Sequence, residues 1–206
     1  MKVERRPDPR PARTRAALIE AAQQILATSD RGEASIQEIT ELAGVAQGSF
    51  YNHFESKDEL FDTAIIATME AHADLLESVT AGLTDPVEVY VVGIRYTGRL
   101  AVQLPAMRAL IVRTGLRLVT ADFGLTPRAL RDLAAARAAG RVRVDDLART
   151  QAIIGGMMLG LFAYIEAHPE ADAAAASDDM ERSVLLLLGM DHAEAEAVVG
   201  RPLPHE

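Results

Sequence analysis

Leu18, Ala21, Ala22, Ile25 and Leu26 recur at spacings of three and four. That is the period of a helix with one buried stripe. It predicts a first helix over residues 12–28, closed by "SDRG" with Gly32 as the breaker. Ser35 and Glu38 then make an S-x-x-E capping box. The helix they open, "SIQEITELA", turns Ile36, Ile39 and Leu42 inward. It ends at Gly44, a residue able to take the positive φ of a tight helix–helix turn. "QGSFYNHF" (47–54) follows as a second short helix, with Phe50 and Phe54 on one face. Ser56 and Glu59 form another capping box, and a longer helix runs from there to about residue 80.

The pattern stays helical beyond residue 84. Asp85 caps, and Pro86 starts, a helix reaching about residue 103, and Pro105 opens "PAMRALIVRTGLRLV". Thr126 is the expected cap of "TPRALRDLAAARAAG", which ends at Gly140. "VDDLARTQAIIGGMMLGLFAYIEAH" is long and strongly apolar and stops before Pro169. "SDDMERSVLLLLGM" is expected to be capped by Ser177 or Asp178, with "ADAAAAS" (171–177) as a loop or a lead-in, and a short piece follows near 192–199. No strand ladder is evident. The pattern predicts an all-α chain of about nine helices: a basic flexible arm (1–13), a three-helix helix-turn-helix unit (14–62) and a larger helical domain (63–206).

Composition narrows the chemistry. No cysteine occurs among the 206 residues, which removes disulfides, zinc–thiolate sites and thiol nucleophiles. Hydrophobic residues make up 49% and aromatics 4%, so the core is built from Ala, Leu, Val and Ile. The longest apolar run, 152–167, is shorter than a bilayer span, and no signal-type stretch follows the N-terminus, so a cytoplasmic protein without membrane contact is expected. The net charge of −9 argues against a nucleic-acid partner, but residues 1–15 carry six basic residues against two acidic ones. Pro7, Pro9 and Pro11 make a disordered tail the alternative to a phosphate-contacting arm.

With Phe50 and Phe54 turned inward, Gln47, Gly48, Ser49, Tyr51, Asn52 and His53 form the outer face of the second short helix. Gln and Asn read base edges, Tyr, Ser and His donate to phosphates, and Gly48 permits close backbone approach. Lys57 opposes the dipole of the helix it opens, which makes sense beside a phosphate. Packing is the competing role for Tyr51, and a local carbonyl contact for His53. No metal is expected at His53, because no partner His or Cys stands at ligand spacing. The stretch "TRAALIEAAQQILATSDRGEASIQEITELAGVAQGSFYNHFESKDELFD" (14–62) resembles the DNA-binding domain of the TetR family of transcriptional regulators. The resemblance implies base or phosphate contact for Gln47, Gly48, Tyr51, Asn52 and His53, and phosphate contact for Lys57 and Ser35.

One helix-turn-helix makes few base contacts, and dimers read pseudo-palindromes whose half-sites lie about 34–36 Å apart. Helices 144–168 and 177–190 are the expected homodimer surface, with Gly155, Gly156 and Gly160 allowing close approach; burial within one subunit is the competing role. The resemblance further implies a small-molecule effector pocket among the middle helices. Tyr90, Ile94, Tyr96, Leu100, Leu104, Met107, Leu110, Ile111, Phe123, Met157, Met158, Phe162 and Tyr164 are its candidate lining. Arg95, Arg99, Arg113 and Arg117 lack an acid at i±4 and are either solvated or turned inward to hold an anionic ligand. The expected function is a repressor that binds a double-stranded operator and is released by a small, mainly apolar effector, with no cofactor. An architectural DNA-binding protein and an activator remain open alternatives. A helical enzyme is disfavoured, because no G-x-S-x-G, H-E-x-x-H, P-loop or Rossmann fingerprint is present.

Overall fold

The computed structural model describes residues 10–28 and 33–204, with backbone alone at 100–102. The Gly32 breaker, residues 1–9 of the basic arm and the Leu100 side chain lie outside the described residues. Nine α-helices and two short 3-10 segments make up the described chain, and no strand occurs among the described residues. The helices are α1 (Arg10–Thr28), α2 (Ile36–Leu42), α3 (Lys57–Thr80), α4 (Pro86–Gln103), α5 (Pro105–Thr114), α6 (Leu125–Ala138), α7 (Leu147–Ala167), α8 (Ala173–Leu187) and α9 (His192–Val199). The chain separates into two compact units, Met1–Thr68 and Met69–Glu206, and the division falls within α3.

The first unit is built on α1, α2, a 3-10 segment (Gln47–Asn52) and the start of α3. Leu18, Ala22, Ile39, Phe50, Leu60, Phe61 and Ala64 are fully buried, so a few aliphatic and aromatic side chains make its core. Residues 10–13, expected in the flexible arm, are the first turn of α1. Leu42, expected inside, is 50% exposed, because α2 is only seven residues long and turns a single stripe inward, with Ile39 and Thr40 its buried residues.

In the second unit α4 is the central helix, touching α5, α6, α7 and α8. Its Val87, Tyr90, Val91 and Ile94 join Leu133, Ile154, Val184, Leu185, Leu188 and Val198 in one core. Local chemistry explains most boundaries. Asp85 Oδ1 accepts from the Val87 amide at 3.0 Å, and Asp146 and Asp191 cap α7 and α9 in the same way. Two starts differ from expectation. Helix α6 begins at Leu125 behind Gly124, not at Thr126, whose hydroxyl instead donates to the Leu118 carbonyl at 2.8 Å. Helix α8 begins at Ala173 with Asp172 as its cap, so the alanine run is helix and Ser177 lies buried inside it. Counted from Leu147, α7 has 21 residues and is by length and composition apolar enough to cross a membrane, longer than the 152–167 run suggested. Its inner face, including Ile154, Leu161, Phe162 and Ile165, is buried within the unit.

Candidate DNA-reading face and ligand chamber

The turn before the recognition segment is fixed by backbone geometry. Gly44 has φ 65°, the left-handed region that favours glycine, and the Val45 amide donates back to the Thr40 carbonyl at 3.0 Å. Residues 47–52 then wind as 3-10 helix rather than the expected α-helix. Three causes act together: Gly48, Ser49 and Asn52 are poor helix formers, Ala46 supplies no side-chain cap, and the segment is one turn too short to nucleate well. The tighter winding still buries both rings. Phe50 and Phe54 are 0% and 2% exposed, with centroids 6.0 Å apart, and the Arg15 guanidinium lies 4.9 Å over the Phe54 ring.

With the rings inside, the polar side faces out. Gln47, Gly48, Tyr51 and Asn52 are exposed, while Ser49 and His53 are half-buried. Tyr51 rests edge-on against Phe50, centroids 5.3 Å apart, yet is 64% exposed, so its ring packs while its hydroxyl stays available. At the start of α2, Ser35 Oγ accepts from the Glu38 amide at 3.1 Å, and the Ser35 amide donates to Glu38 Oε2 at 2.7 Å. These Ser35 bonds, backbone first, hold the Glu38 carboxyl below its usual range. Lys57 Nζ donates to the Ala34 carbonyl, which places its ammonium beside the Ser35 cap and leaves two of its three donors for another acceptor. The expected Ser56–Glu59 box is looser: the Glu59 amide donates to Ser56 Oγ, but the Glu59 carboxylate takes the Glu55 amide.

The second unit carries a cavity of about 150 Å³ that is open to solvent along one edge. Its walls come from α3 (Met69, Ala73, Leu76), α4 (Tyr90, Gly93, Ile94, Thr97), α5 (Ile111), the 118–123 turn, α6 (Leu125, Ala129) and α7 (Gln151, Ile154, Met158, Phe162). Two polar pairs interrupt the apolar wall. The Tyr90 hydroxyl donates to Gln151 Oε1 at 2.7 Å, and burial, helped by the Asp132 charge, pushes that phenol well above its usual range. Thr97 Oγ1 stands 3.0 Å from His72 Nε2 and donates to the Gly93 carbonyl at 2.8 Å. At the solvent edge, Arg128 bonds Glu70 and Asp74, each at 2.7 Å, and Arg131 bonds Glu77 at 2.7 Å and Asp132 at 2.9 Å. The Gly124 amide donates to Glu70 Oε1 at 2.7 Å, and a Cβ on Gly124 (φ 64°) would come within 2.6 Å of Met69 Cβ.

Of the candidate lining residues, Tyr90, Ile94, Ile111, Phe123, Met158 and Phe162 line this cavity. Tyr96, Leu104, Met107, Leu110, Met157, Tyr164 and the four candidate arginines do not. Tyr96 packs beside Val79, Val92 and Leu203, Met157 backs the main core, Met107 is half-buried on α5, and Arg113 is exposed at its end. Arg95 and Arg99 turn toward α8. Arg95 Nε is 2.8 Å from Glu181 Oε2, its Nη1 donates to the Arg201 carbonyl at 2.8 Å, and Arg99 Nη2 is 3.3 Å from Asp178 Oδ1. Both guanidiniums are therefore engaged within the protein. Gln151, Thr97, Asp132 and Arg128 escaped the sequence reading. The one visible signal was a glutamine set into the most apolar helix.

A clamped polar face after a helix-turn-helix turn, and a separate helical unit around an apolar chamber, define a ligand-responsive DNA-binding regulator. Residues 18–64 match the family described as bacterial regulatory proteins, tetR family, and residues 85–201 match the tetracyclin repressor-like C-terminal domain. The chain belongs to the tetR family of bacterial regulatory proteins, and its function is that of a ligand-responsive, DNA-binding transcriptional repressor. It is similar to the probable acrEF/envCD operon repressor of Escherichia coli K12, 28% identical over 163 residues that cover 72% of this chain and 74% of that one. Among solved structures it is similar to RolR in complex with resorcinol (27% identity, TM-score 0.70, 95% of this chain and 97% of that one). Against ligand-free RolR the TM-score is 0.78 at 26% identity, over 93% of this chain and 98% of that one.

Proposed function

We propose that the chain acts in the cytoplasm as a homodimer that reads a pseudo-palindromic operator and leaves it when a small, mainly apolar effector fills the chamber. The carrying observation is the exposed Gln47–His53 face held rigid by two buried rings. Gln47 and Asn52 contact base edges, Tyr51 and His53 contact the backbone, and Ser35 and Lys57 bind a neighbouring phosphate. Homodimerisation is supported by an exposed stripe on α7 (Ile153, Gly156, Gly160, Ala163, Tyr164) beside exposed Leu186 and Leu187 on α8. Residues at that spacing share one helix face. Release is a population shift: the effector stabilises a form whose two recognition segments no longer match one turn of duplex, and α3, which contributes residues to both units, carries the change. An anionic effector is not favoured, because Arg95 and Arg99 are bonded toward α8 and neither lines the chamber. The complex of the similar protein RolR with resorcinol supports a small ligand.

Selection of genomic fragments by the purified protein tests this reading, followed by gel shift on the selected site. The expected outcome is a two-fold-related sequence bound with an affinity that falls steeply with salt. Enrichment of no sequence over bulk DNA would overturn it.

A further inference from the structure

We infer that Tyr90 and Gln151 form a hydroxyl-reading pair, and that the chamber takes an uncharged, single-ring phenol-type molecule. The inference rests on the ligand-responsive reading above and names the ligand class for that site. Size comes first. A cavity of about 150 Å³ walled by Ile94, Ile154, Met158 and Phe162 has the capacity of one aromatic ring; dry apolar cavities of about that volume accept benzene. A long acyl chain exceeds that volume and would have to run out past the acidic solvent edge.

Polarity comes second. Tyr90 gives its proton to Gln151 Oε1, so the phenolic oxygen keeps an acceptor site. The Gln151 amide nitrogen has two donors and no partner among the described residues. Turning the amide over exchanges which residue donates but still leaves one donor and one acceptor open. A hydroxyl both donates and accepts, so it satisfies the pair. A hydrocarbon satisfies neither member, a carboxylate only accepts, and an ammonium only donates. Charge comes third. Two guanidiniums at the solvent edge, Arg128 and Arg131, are held by four carboxylates, Glu70, Asp74, Glu77 and Asp132. That edge repels an anion and leaves no cation for it to pair with.

Calorimetric titration of the full chain at pH 7.5 with phenol, toluene, benzoate and laurate tests the inference. Phenol is expected to bind at least about tenfold tighter than toluene, with no heat from benzoate or laurate. Gln151→Leu is expected to keep toluene binding and to bring phenol down to within two- or threefold of it; Tyr90→Phe, the closer isostere, serves if the first variant misfolds. Equal affinity for phenol and toluene overturns the pair's role, as does a preference that survives both substitutions. Tighter binding of benzoate or laurate overturns the ligand class, as does binding of none of the four by protein that still shifts its selected operator. Failure to shift any DNA is a separate result and counts against the regulator reading instead.

Discussion

His72 shows how a single buried group ties the chamber wall to pH. The Thr97 hydroxyl gives its proton to the Gly93 carbonyl, so it must accept from His72 Nε2–H, and the bare Nδ1 is buried with no hydrogen-bond partner among the described residues. Burial lowers the imidazole from its ordinary 6.5 to about 4. The unfolded chain therefore takes up a proton, between those two values, that the native chain refuses. The His72 contribution is complete above pH 6.5 and is lost as pH falls toward 4, by roughly 3 kcal/mol in total. Urea melts at several pH values should show wild type losing that amount relative to His72→Gln, which keeps a donor for Thr97 but does not titrate. The buried Glu181 carboxyl, pushed up to about 8 by burial and Asp178 against the pull of Arg95, slopes the other way and cancels in that difference. Parallel pH curves for the two proteins would show that His72 titrates normally. On the DNA-reading face, Tyr51 is 64% exposed and its one ring contact among the described residues is with Phe50. Tyr51→Phe should leave the melting temperature within a degree or two while weakening operator binding several-fold through loss of one phosphate hydrogen bond, on the order of 1 kcal/mol. Unchanged operator affinity in a gel shift would remove Tyr51 from the interface.

Between elements, α4 and α8 come together closely at Gly98. A Cβ on Gly98 would lie 2.1 Å from Ser177 Oγ and 3.3 Å from Ser177 Cβ, and one turn away Arg95 meets Glu181. Gly98→Ala should cost about 1–3 kcal/mol by prising the helices apart. Ser177→Ala in the same chain should recover most of it, because the clashing hydroxyl is buried and has no hydrogen-bond partner. Additive losses in that double-mutant cycle would mean the two residues do not meet. This packing also explains what the sequence could and could not tell. Signals that act within a few residues were readable: the Ser35–Glu38 box, Asp85 with Pro86, Pro105, and Gly44 at its positive φ. So was the burial of Phe50 and Phe54, which depends on a local repeat. Partners far along the chain were not. Arg95 and Arg99 lacked an acid at i±4, yet Asp178 and Glu181 wait about 80 residues later. Thr126 had the chemistry of a cap, but the Gly124 bend on Met69 set the helix start first. Six wall residues, Tyr90, Ile94, Ile111, Phe123, Met158 and Phe162, were legible as apolar positions in the middle of the chain, but the Tyr90–Gln151 pair was not, since its members lie 61 residues apart and meet only when α4 and α7 pack.

At the scale of the whole molecule the question is what covers the outer face of α7. Ile153 and Tyr164 are each 48% exposed there, and a Cβ built on Gly156 or Gly160 meets nothing within 4 Å. Neither glycine serves packing within the subunit, and each lowers helix stability by about 1 kcal/mol relative to alanine. A helix bearing two such residues on an apolar stripe is explained by a second helix lying close against it. If that helix belongs to a second copy, a C2 arrangement places α7 and α8 of both subunits at one interface and spaces the recognition segments for two half-sites. Gly156→Glu with Gly160→Glu then separates the two roles. Within one subunit the glutamates point into open space and should improve helix propensity, so secondary structure is kept. Across a dimer they bury charge against charge. Sedimentation equilibrium should show the mass falling from two chains to one. Affinity for the full operator should drop at least about tenfold, toward that of a single half-site, because the second recognition segment is no longer held at high effective concentration. A variant that remains dimeric and binds its operator with wild-type affinity would place the interface on another face. The exposed glycines of α7 would then need a different partner.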